Sequence, residues 1–297
     1  EYILSRGTDL ITNGTGYLNN NTNFSSATFD PTLGPTGTRG SFIYSLTGPA
    51  LRTVDEVIPV RPTNRYQFRF QIKSLTPDVS GKFYAMLYPV DAQGNDIRPA
   101  NYAFIGNTTT KLAKPLKKGD TKVWLESVAN YNRANYDYRR RFIFWNWTDP
   151  NGKVWPEKTY SRDLSDSNTW LSNSDINTAE NSITLAKPWS GGNYDVGQPL
   201  SCCAFGGGYM YPAGSNIPTP SDWMVVEGST QKGTLEQPDT DGATGKNAVN
   251  QFPPGTAGVK VGWLLAYNGD ASSTNPQKVA IASVSFSDAT LAIDEAE

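Results

Sequence analysis

Histidine is absent from this chain of 297 residues. Histidine is the side chain whose ordinary pKa lies nearest neutral pH, and it is the commonest ligand of transition metals. Its absence excludes serine and cysteine triads that use a histidine base, and it excludes zinc and iron sites built on imidazole. An enzyme made of this chain would have to use carboxylates, lysine, or a hard metal ion bound by oxygen ligands.

Cysteine is nearly absent as well, because the chain contains just the adjacent pair Cys202 and Cys203. Two sulfurs cannot complete a tetrahedral thiolate site, and one pair cannot form a disulfide framework. We interpret the pair as buried free thiols that behave as small hydrophobic residues. A strained vicinal disulfide is the alternative.

Neither an excess of one charge nor a long apolar run is present. The chain has 26 Lys and Arg against 28 Asp and Glu, so its net charge is −2. No basic field attracts phosphates, and we expect no nucleic acid partner. No apolar run reaches the roughly 18 residues of a membrane-spanning helix, so we expect a soluble chain without membrane insertion. The start at Glu1, without a methionine or signal-peptide pattern, indicates a processed terminus or a fragment.

Glycine, proline and aromatic residues are plentiful. The 27 Gly and 20 Pro exceed average usage, which disfavours long helices. Aromatic residues make up 12% and hydrophobic residues 37% of the chain, which is enough for a core.

Short alternating runs predict strands throughout the chain. Residues 66–73 alternate apolar and polar side chains, which places one face of a strand in the core and the other in water. Similar runs rich in β-branched and aromatic residues are 82–90, 121–125, 141–147, 259–267 and 279–286. Gly, Pro, Asn and Asp turns separate these runs. The pattern predicts an all-β sandwich or barrel.

The two ends of the chain resemble the two halves of a known fold. A small-residue strand, a proline-led strand, an alternating strand and a strand ending in Asp with a Gly-Asn turn are found at 40–44, 56–60, 64–68 and 84–97. This order resembles the first half of the galactose-binding-like jelly roll of carbohydrate-binding modules. Residues 252–256, 259–263 and 279–286 resemble its closing strands. The intervening segments 112–125, 159–162 and 183–185 are similar to a small β module of phage virion proteins.

These resemblances predict a jelly-roll β-sandwich with an inserted small β-barrel-like domain. The expected boundaries are 1–106 for the first half of the jelly roll, 107–203 for the insertion and 204–297 for the second half. Insertions are tolerated best at exposed loops whose ends lie close together, and Gly206–Gly208 would form the return hinge. Two consecutive domains are the alternative, but the first 106 residues hold too few strands to close a sandwich.

Aromatic residues beside turns are the candidate binding residues. A pyranose ring can stack on an indole or phenol ring while polar groups bind its hydroxyls. Alternation places Trp145 and Trp147 on the face opposite Phe142 and Phe144, although packing in the core is the usual fate of an aromatic side chain. Trp263 and Tyr267 lead into the polar loop at 268–270. The predicted glycan-binding residues are Trp145, Trp147, Tyr209 and Tyr211, with Trp147 and Tyr211 as first choices.

No pattern of carboxylates predicts catalysis. Six aspartates lie in polar, turn-like contexts, and no motif couples any two: Asp91, Asp96, Asp149, Asp163, Asp239 and Asp241. We therefore predict no catalytic residues and no enzymatic activity. The jelly-roll resemblance implies a structural Ca²⁺, but no loop has the Asp-x-Asp-x-Asp-Gly spacing, so no ligands are assigned. No other cofactor is expected.

The resemblance implies a structural protein of a tailed-bacteriophage virion, either a capsid decoration or a tail or fibre appendage. It implies a place on the particle surface, contacts with other virion proteins and with a host-surface glycan, and a homo-oligomer, trimeric by analogy with fibres. The alternative is an accessory carbohydrate-binding module of a secreted bacterial glycoside hydrolase. A third hypothesis makes the chain itself a carboxylate-based glycosidase.

Overall fold

β-Strands make up the regular structure of the residues that the structure describes. A computed structural model describes residues 9–97, 100–104, 107–131, 141–145, 147–148, 154–155, 175–207, 209–234, 250–253 and 255–290. The strands of these residues are β1 (Thr28–Asp30), β2 (Ser41–Leu46), β3 (Ala50–Thr53), β4 (Ile58–Pro59), β5 (Tyr66–Ser74), β6 (Lys82–Val90), β7 (Asn101–Phe104), β8 (Thr110–Lys111), β9 (Lys122–Trp124), β10 (Arg141–Phe144), β11 (Trp147–Thr148), β12 (Val154–Trp155), β13 (Ile176–Asn177), β14 (Ser182–Thr184), β15 (Pro199–Gly207), β16 (Ile217–Pro218), β17 (Met224–Ser229), β18 (Gln231–Thr234), β19 (Gln251–Phe252), β20 (Gly258–Tyr267) and β21 (Gln277–Asp288). The predicted all-β class is confirmed.

The chain divides into two compact units, and both are discontinuous in sequence. The first unit comprises Glu1–Asn95, Met210–Gly233 and Thr256–Glu297. The second comprises Asp96–Tyr209 and Thr234–Gly255. The chain therefore leaves the first unit at 95/96 and returns at 209/210, where the sequence analysis placed the changes at 106/107 and 203/204. The later excursion of 234–255 into the second unit has no counterpart in the sequence analysis.

Two antiparallel sheets build the first unit. One has the strand order β1-β2-β21-β5-β17, and the other has the order β16-β6-β20-β3 with β4 beside β20. Trp263 of β20 is fully buried, and its ring lies 5.6 Å from that of Phe70 on β5 and 6.2 Å from that of Tyr44 on β2. Aromatic side chains of one sheet thus pack on those of the other, as in a β-sandwich.

The alternation predicted for 66–73 is present in β5. Its apolar residues Tyr66, Phe68, Phe70 and Ile72 are buried, while the polar residues between them are half-exposed. Successive side chains of a strand point to opposite faces, so this single segment determines which face of the sheet lies in the core.

Two β-bulges interrupt the central strands of the first unit. One lies between Leu264 and Tyr267 of β20, opposite β6, and the other lies between Ala282 and Ser285 of β21, opposite β5. Each contains a non-glycine residue with positive φ, Ala266 at 55° and Ser283 at 52°. A bulge adds one residue to one strand and changes which face the following side chains point to.

The second unit contains its own sheets and its own core. In one sheet β15 lies between β10 and β7 and also pairs with β8, and in another the order is β13-β14-β9. The buried cluster consists of Leu112, Leu116, Val123, Leu125, Val128, Tyr131, Phe142, Phe144, Ile183, Leu185, Trp189, Tyr194, Leu200 and Cys202. Cys202 is fully buried in this cluster, as expected for a small core residue, and the side chain of Cys203 is outside the described residues.

Two of the three glycines of the expected hinge lie in a strand, and Gly208 is outside the described residues. Gly206 and Gly207 lie inside β15 and pair with Tyr102 and Asn101 of β7. Glycine's conformational freedom suggested a hinge, but the cross-strand hydrogen bonds of the ladder place these residues in an ordinary strand.

Candidate functional site

A row of apolar side chains crosses the outer face of the second sheet of the first unit. Tyr84 of β6 is opposite Leu264 of β20, which is in turn opposite Leu51 of β3. Residues in register point to the same face of a sheet. The neighbours of Tyr84 in β6, Phe83 and Ala85, are fully buried, so Tyr84 points away from the core. Leu51 is 46% exposed, and the row therefore faces solvent at this edge.

Tyr211 extends this row. Its ring packs edge-on against Tyr84, with centroids 5.3 Å apart and an interplanar angle of 80°. The segment is held by a pair of backbone hydrogen bonds, in which the Met210 N–H donates to the Leu87 carbonyl at 2.8 Å and the Leu87 N–H donates to the Met210 carbonyl at 3.0 Å. Tyr211 is half-exposed.

Tyr267 joins from the other side because of the β-bulge in β20. Its ring lies 5.2 Å from that of Tyr84 at 61°. Tyr267 is three positions after Leu264, and the regular period of two would place their side chains on opposite faces. The bulge pairs Leu264 with Tyr84 and Tyr267 with Lys82, so both point outward. Ala266, inside the bulge, has a φ of 55°, a conformation that costs a non-glycine residue about 1–3 kcal/mol.

We call Tyr84, Tyr211 and Tyr267 the tyrosine cluster. All three side chains are half-exposed, and the central ring of Tyr84 makes an edge contact with each of the others. Phenol rings offer an apolar surface together with a hydroxyl group that can donate or accept a hydrogen bond. Such a surface can bind a ligand that has an apolar face and hydroxyls at its rim.

Trp145, one of the predicted binding residues, lies in the core. It is fully buried, and its indole N–H donates to the Ser201 hydroxyl at 2.9 Å. A ring in this position presents no face to solvent, so Trp145 is removed from the candidate site. The predicted strand 141–147 in fact ends at Phe144, and the alternation used to assign faces stops there.

The other predicted residues are placed as follows. Trp147 lies in β11 opposite Trp155 of β12, and its side chain is outside the described residues. Tyr209 is half-buried and belongs to the second unit. Of the four predicted residues, only Tyr211 is seen in the tyrosine cluster.

Sequence reasoning missed the central residue of the cluster. Tyr84 lies within the predicted strand 82–90, for which no outward-facing residue was assigned. The adjacent aromatic residues Phe83 and Tyr84 carried a usable signal, because a strand must point one of two neighbours outward. Tyr267 was noted at the start of a loop, but its direction depends on a bulge that no local pattern indicates.

A shallow cavity of about 410 Å³ lies elsewhere on the first unit. Its lining residues are Asp9, Leu10, Ile11, Thr12, Gly14, Thr15 and Tyr17. One oxygen of Asp9 accepts hydrogen bonds from the backbone N–H groups of Ile11 and Phe286, at 3.0 and 3.1 Å. Burial nevertheless raises the pKa of Asp9. These bonds fasten the start of the described chain to β21, which gives this carboxylate a structural role.

The aspartates offer no metal site within the described ranges. No group of three or more metal-ligating side chains occurs in that part of the chain. The Asp91 carboxylate accepts N–H hydrogen bonds from Gln93 and Asn95, both at 2.9 Å, and so stabilises a turn. Asp96 is also described, whereas the remaining predicted positions, Asp149, Asp163, Asp239 and Asp241, are outside the described residues.

The comparisons with known proteins found no relative. Neither protein-family models, nor curated proteins, nor solved structures gave a match. Among the described residues, there is no helix with the length and apolar character needed to cross a membrane.

Proposed function

We propose that this chain is a non-enzymatic structural protein of a tailed-bacteriophage virion. In this proposal it is a capsid decoration or a tail or fibre appendage whose jelly-roll sandwich contacts host-surface glycans through the tyrosine cluster. The observation that carries the glycan contact is the arrangement of Tyr84, Tyr211 and Tyr267 on the outer face of a sandwich sheet. The virion role rests on the resemblance of the sequence segments described above.

The cluster has the chemistry of a sugar-contact surface. Three half-exposed phenol rings combine apolar area with hydroxyl groups, which matches the apolar faces and hydroxyl rims of a pyranose. Leu264 and Leu51 continue the apolar row across the sheet. A rigid sheet holds these side chains, so little conformational entropy is lost on binding.

A surface-contact role also agrees with the composition of the chain. The chain has no histidine. Binding through aromatic rings and hydroxyl groups does not need one, because it involves neither proton transfer nor a transition metal. Exposed apolar side chains grouped on one face are typical of contact surfaces.

Binding to an array of bacterial surface polysaccharides tests the glycan contact. We expect Tyr211→Ala to weaken binding at least about fivefold, since loss of a buried aromatic contact costs about 1 kcal/mol or more. Tyr17→Ala is the matched control, because Tyr17 is 50% exposed and lies outside the cluster. Equal binding by both variants, or loss of cooperative unfolding in Tyr211→Ala, would contradict the assignment of the site.

Two further measurements test the virion role and the absence of turnover. A mass-spectrometric census of purified phage particles from the source should contain the chain in stoichiometric amounts. Incubation with the bound polysaccharide should release no reducing ends. If the chain is missing from the particles, or if reducing ends accumulate, the proposal is wrong.

A further inference from the structure

Positive charge is concentrated in one segment of the second unit. Residues 111–126 contain five lysines against Asp120 and Glu126, a net charge of +3 in a chain whose total is −2. Four of these lysines are exposed and the fifth is half-exposed: Lys111, Lys114, Lys117, Lys118 and Lys122. This surface therefore differs in sign from the chain as a whole.

Two of the lysines converge on one aromatic ring. The ammonium nitrogen of Lys114 lies 3.6 Å from the centroid of the Trp124 ring, and that of Lys122 lies 4.5 Å from it. The two charges are therefore no more than 8.1 Å apart. Cation–π attraction offsets part of their repulsion and limits the rotamers of both side chains. Groups held in place before binding lose less entropy when a ligand binds.

The sheet β13-β14-β9 aims this arrangement outward. Val123 and Leu125 are buried in the core of the second unit, so Lys122 and Trp124 point to the opposite face. Lys114 is brought beside them by the hydrogen bond from the Ala113 N–H to the Trp124 carbonyl, 2.9 Å long.

Glu180 supplies an internal counter-charge. Its carboxylate lies 2.6 Å from the Lys122 ammonium, and the hydrogen bond and charge of Lys122 lower its pKa, with a further contribution from Lys114. Glu180 is therefore ionised at neutral pH and balances one of the two ammonium groups. An exposed ion pair of this kind contributes little stability, so an acidic ligand can compete with it.

We propose that the lysine–tryptophan patch, formed by Lys114, Lys122 and Trp124, binds the carboxylate or sulfate groups of an acidic polysaccharide through its two ammonium groups. The ammonium groups of Lys114 and Lys122 both lie against the Trp124 ring, so a nucleic acid base would have to displace at least one of them to stack on the face that it covers. Acidic sugars need cations and hydrogen-bonding groups, and the exposed Thr184 lies opposite Lys122 in register. The proposal is independent of the tyrosine cluster, which belongs to the first unit.

The test measures binding of the full chain to sodium polygalacturonate at low ionic strength. We expect Lys114→Gln to weaken binding and Glu180→Gln to strengthen it, each by about two- to fivefold, the range of a single exposed charge interaction. Lys278→Gln is the matched control, because it removes an exposed positive charge from the first unit. Added salt should weaken binding of every form.

The test is specific because the two substitutions should change the binding affinity in opposite directions. If the lysines served only solubility, Glu180→Gln would not increase the affinity for polygalacturonate. The proposal is overturned if polygalacturonate does not bind, if Lys278→Gln weakens binding as much as Lys114→Gln, or if Glu180→Gln has no effect. Equal binding of oligothymidylate would overturn the assignment to polysaccharide, and neutral dextran should not bind.

Discussion

Tyr267 of β20 contacts Tyr84 of the neighbouring strand β6 because one extra residue in β20 turns the Tyr267 side chain to the outer face. The ring centroids are 5.2 Å apart, and the bulge that creates the contact contains Ala266 at a φ of 55°. Strained backbone conformations persist where the surrounding structure enforces them, and they are enriched at binding sites. Formation of the tyrosine cluster therefore depends on a backbone feature as much as on its side chains.

A substitution at the bulge should reveal this dependence. Ala266→Gly retains the positive φ without steric conflict, whereas Ala266→Val should destabilise the chain by about 1–3 kcal/mol because a β-branched residue disfavours this region. Urea unfolding measures the difference. Ala257→Val, at an exposed position, is the control and should change stability by less than about 0.5 kcal/mol. Equal stability of Ala266→Val and Ala266→Gly would show that the bulge is not strained.

The Tyr44 hydroxyl, like the positive φ of Ala266, should lower the stability of the folded chain. It is buried without a hydrogen-bond partner in the described part of the chain, whereas the Tyr66 hydroxyl accepts the Arg61 N–H at 2.8 Å. Tyr44→Phe should leave the free energy of unfolding unchanged or raise it by about 1 kcal/mol. Tyr66→Phe should lower it by about 0.5–1.5 kcal/mol. Chemical denaturation of the two variants gives the comparison, and a loss of stability in Tyr44→Phe would indicate an unseen partner.

Stability should also fall at alkaline pH, partly through Tyr44. Burial raises the pKa of Tyr44 above the ordinary value of 10. The unfolded chain therefore loses this proton first as the pH rises, and the contribution of Tyr44 to stability is complete below pH 10 and declines above it. We expect the free energy of unfolding of Tyr44→Phe to decline less steeply between pH 10 and about 11 than that of the parent chain. Parallel pH profiles would argue against this burial.

The hydrogen bond between Trp145 and Ser201 should contribute to the stability of the second unit. Ser201→Ala removes the acceptor of a buried indole N–H, so we expect a loss of about 1–3 kcal/mol. Ser190→Ala, at an exposed position, provides the comparison. Thermal unfolding followed by tryptophan fluorescence measures both. If both variants melt together with the parent chain, Trp145 is not held by this bond.

The first unit should fold without residues 96–209. Met210 is hydrogen-bonded to Leu87, and the Asp91 N–H donates to the Asn95 carbonyl, so the two ends to be joined lie near the last residues of β6. Leu87 and Asp91 are four positions apart, which corresponds to roughly 13 Å along a strand. A Gly/Ser linker of about six residues can span this distance and join Asn95 to Met210. Cooperative unfolding of the shortened chain is the expected result. Removal of 107–203 instead cuts through β15 and should yield a less stable protein.

The pattern of neighbouring residues was sufficient to predict the main strands of the first unit. The period of two in residues 66–73 predicted β5 and its buried face, and the runs at 82–90, 259–267 and 279–286 all lie in strands. Each of these segments carries its own alternation or β-branched content, so neighbouring residues suffice to identify it.

The residues of the candidate surfaces depended on tertiary structure. Trp145 lies beyond the end of β10, where alternation no longer assigns a face, and packing placed it in the core. Tyr267 points outward because pairing with β6 requires a bulge, and Lys114 meets Trp124 because backbone hydrogen bonds join their segments. The period of two in the strands and the absence of histidine chemistry follow from the amino-acid sequence alone. Register, bulges and cross-strand contacts join residues distant in sequence, so their positions were decided only when the sheets formed.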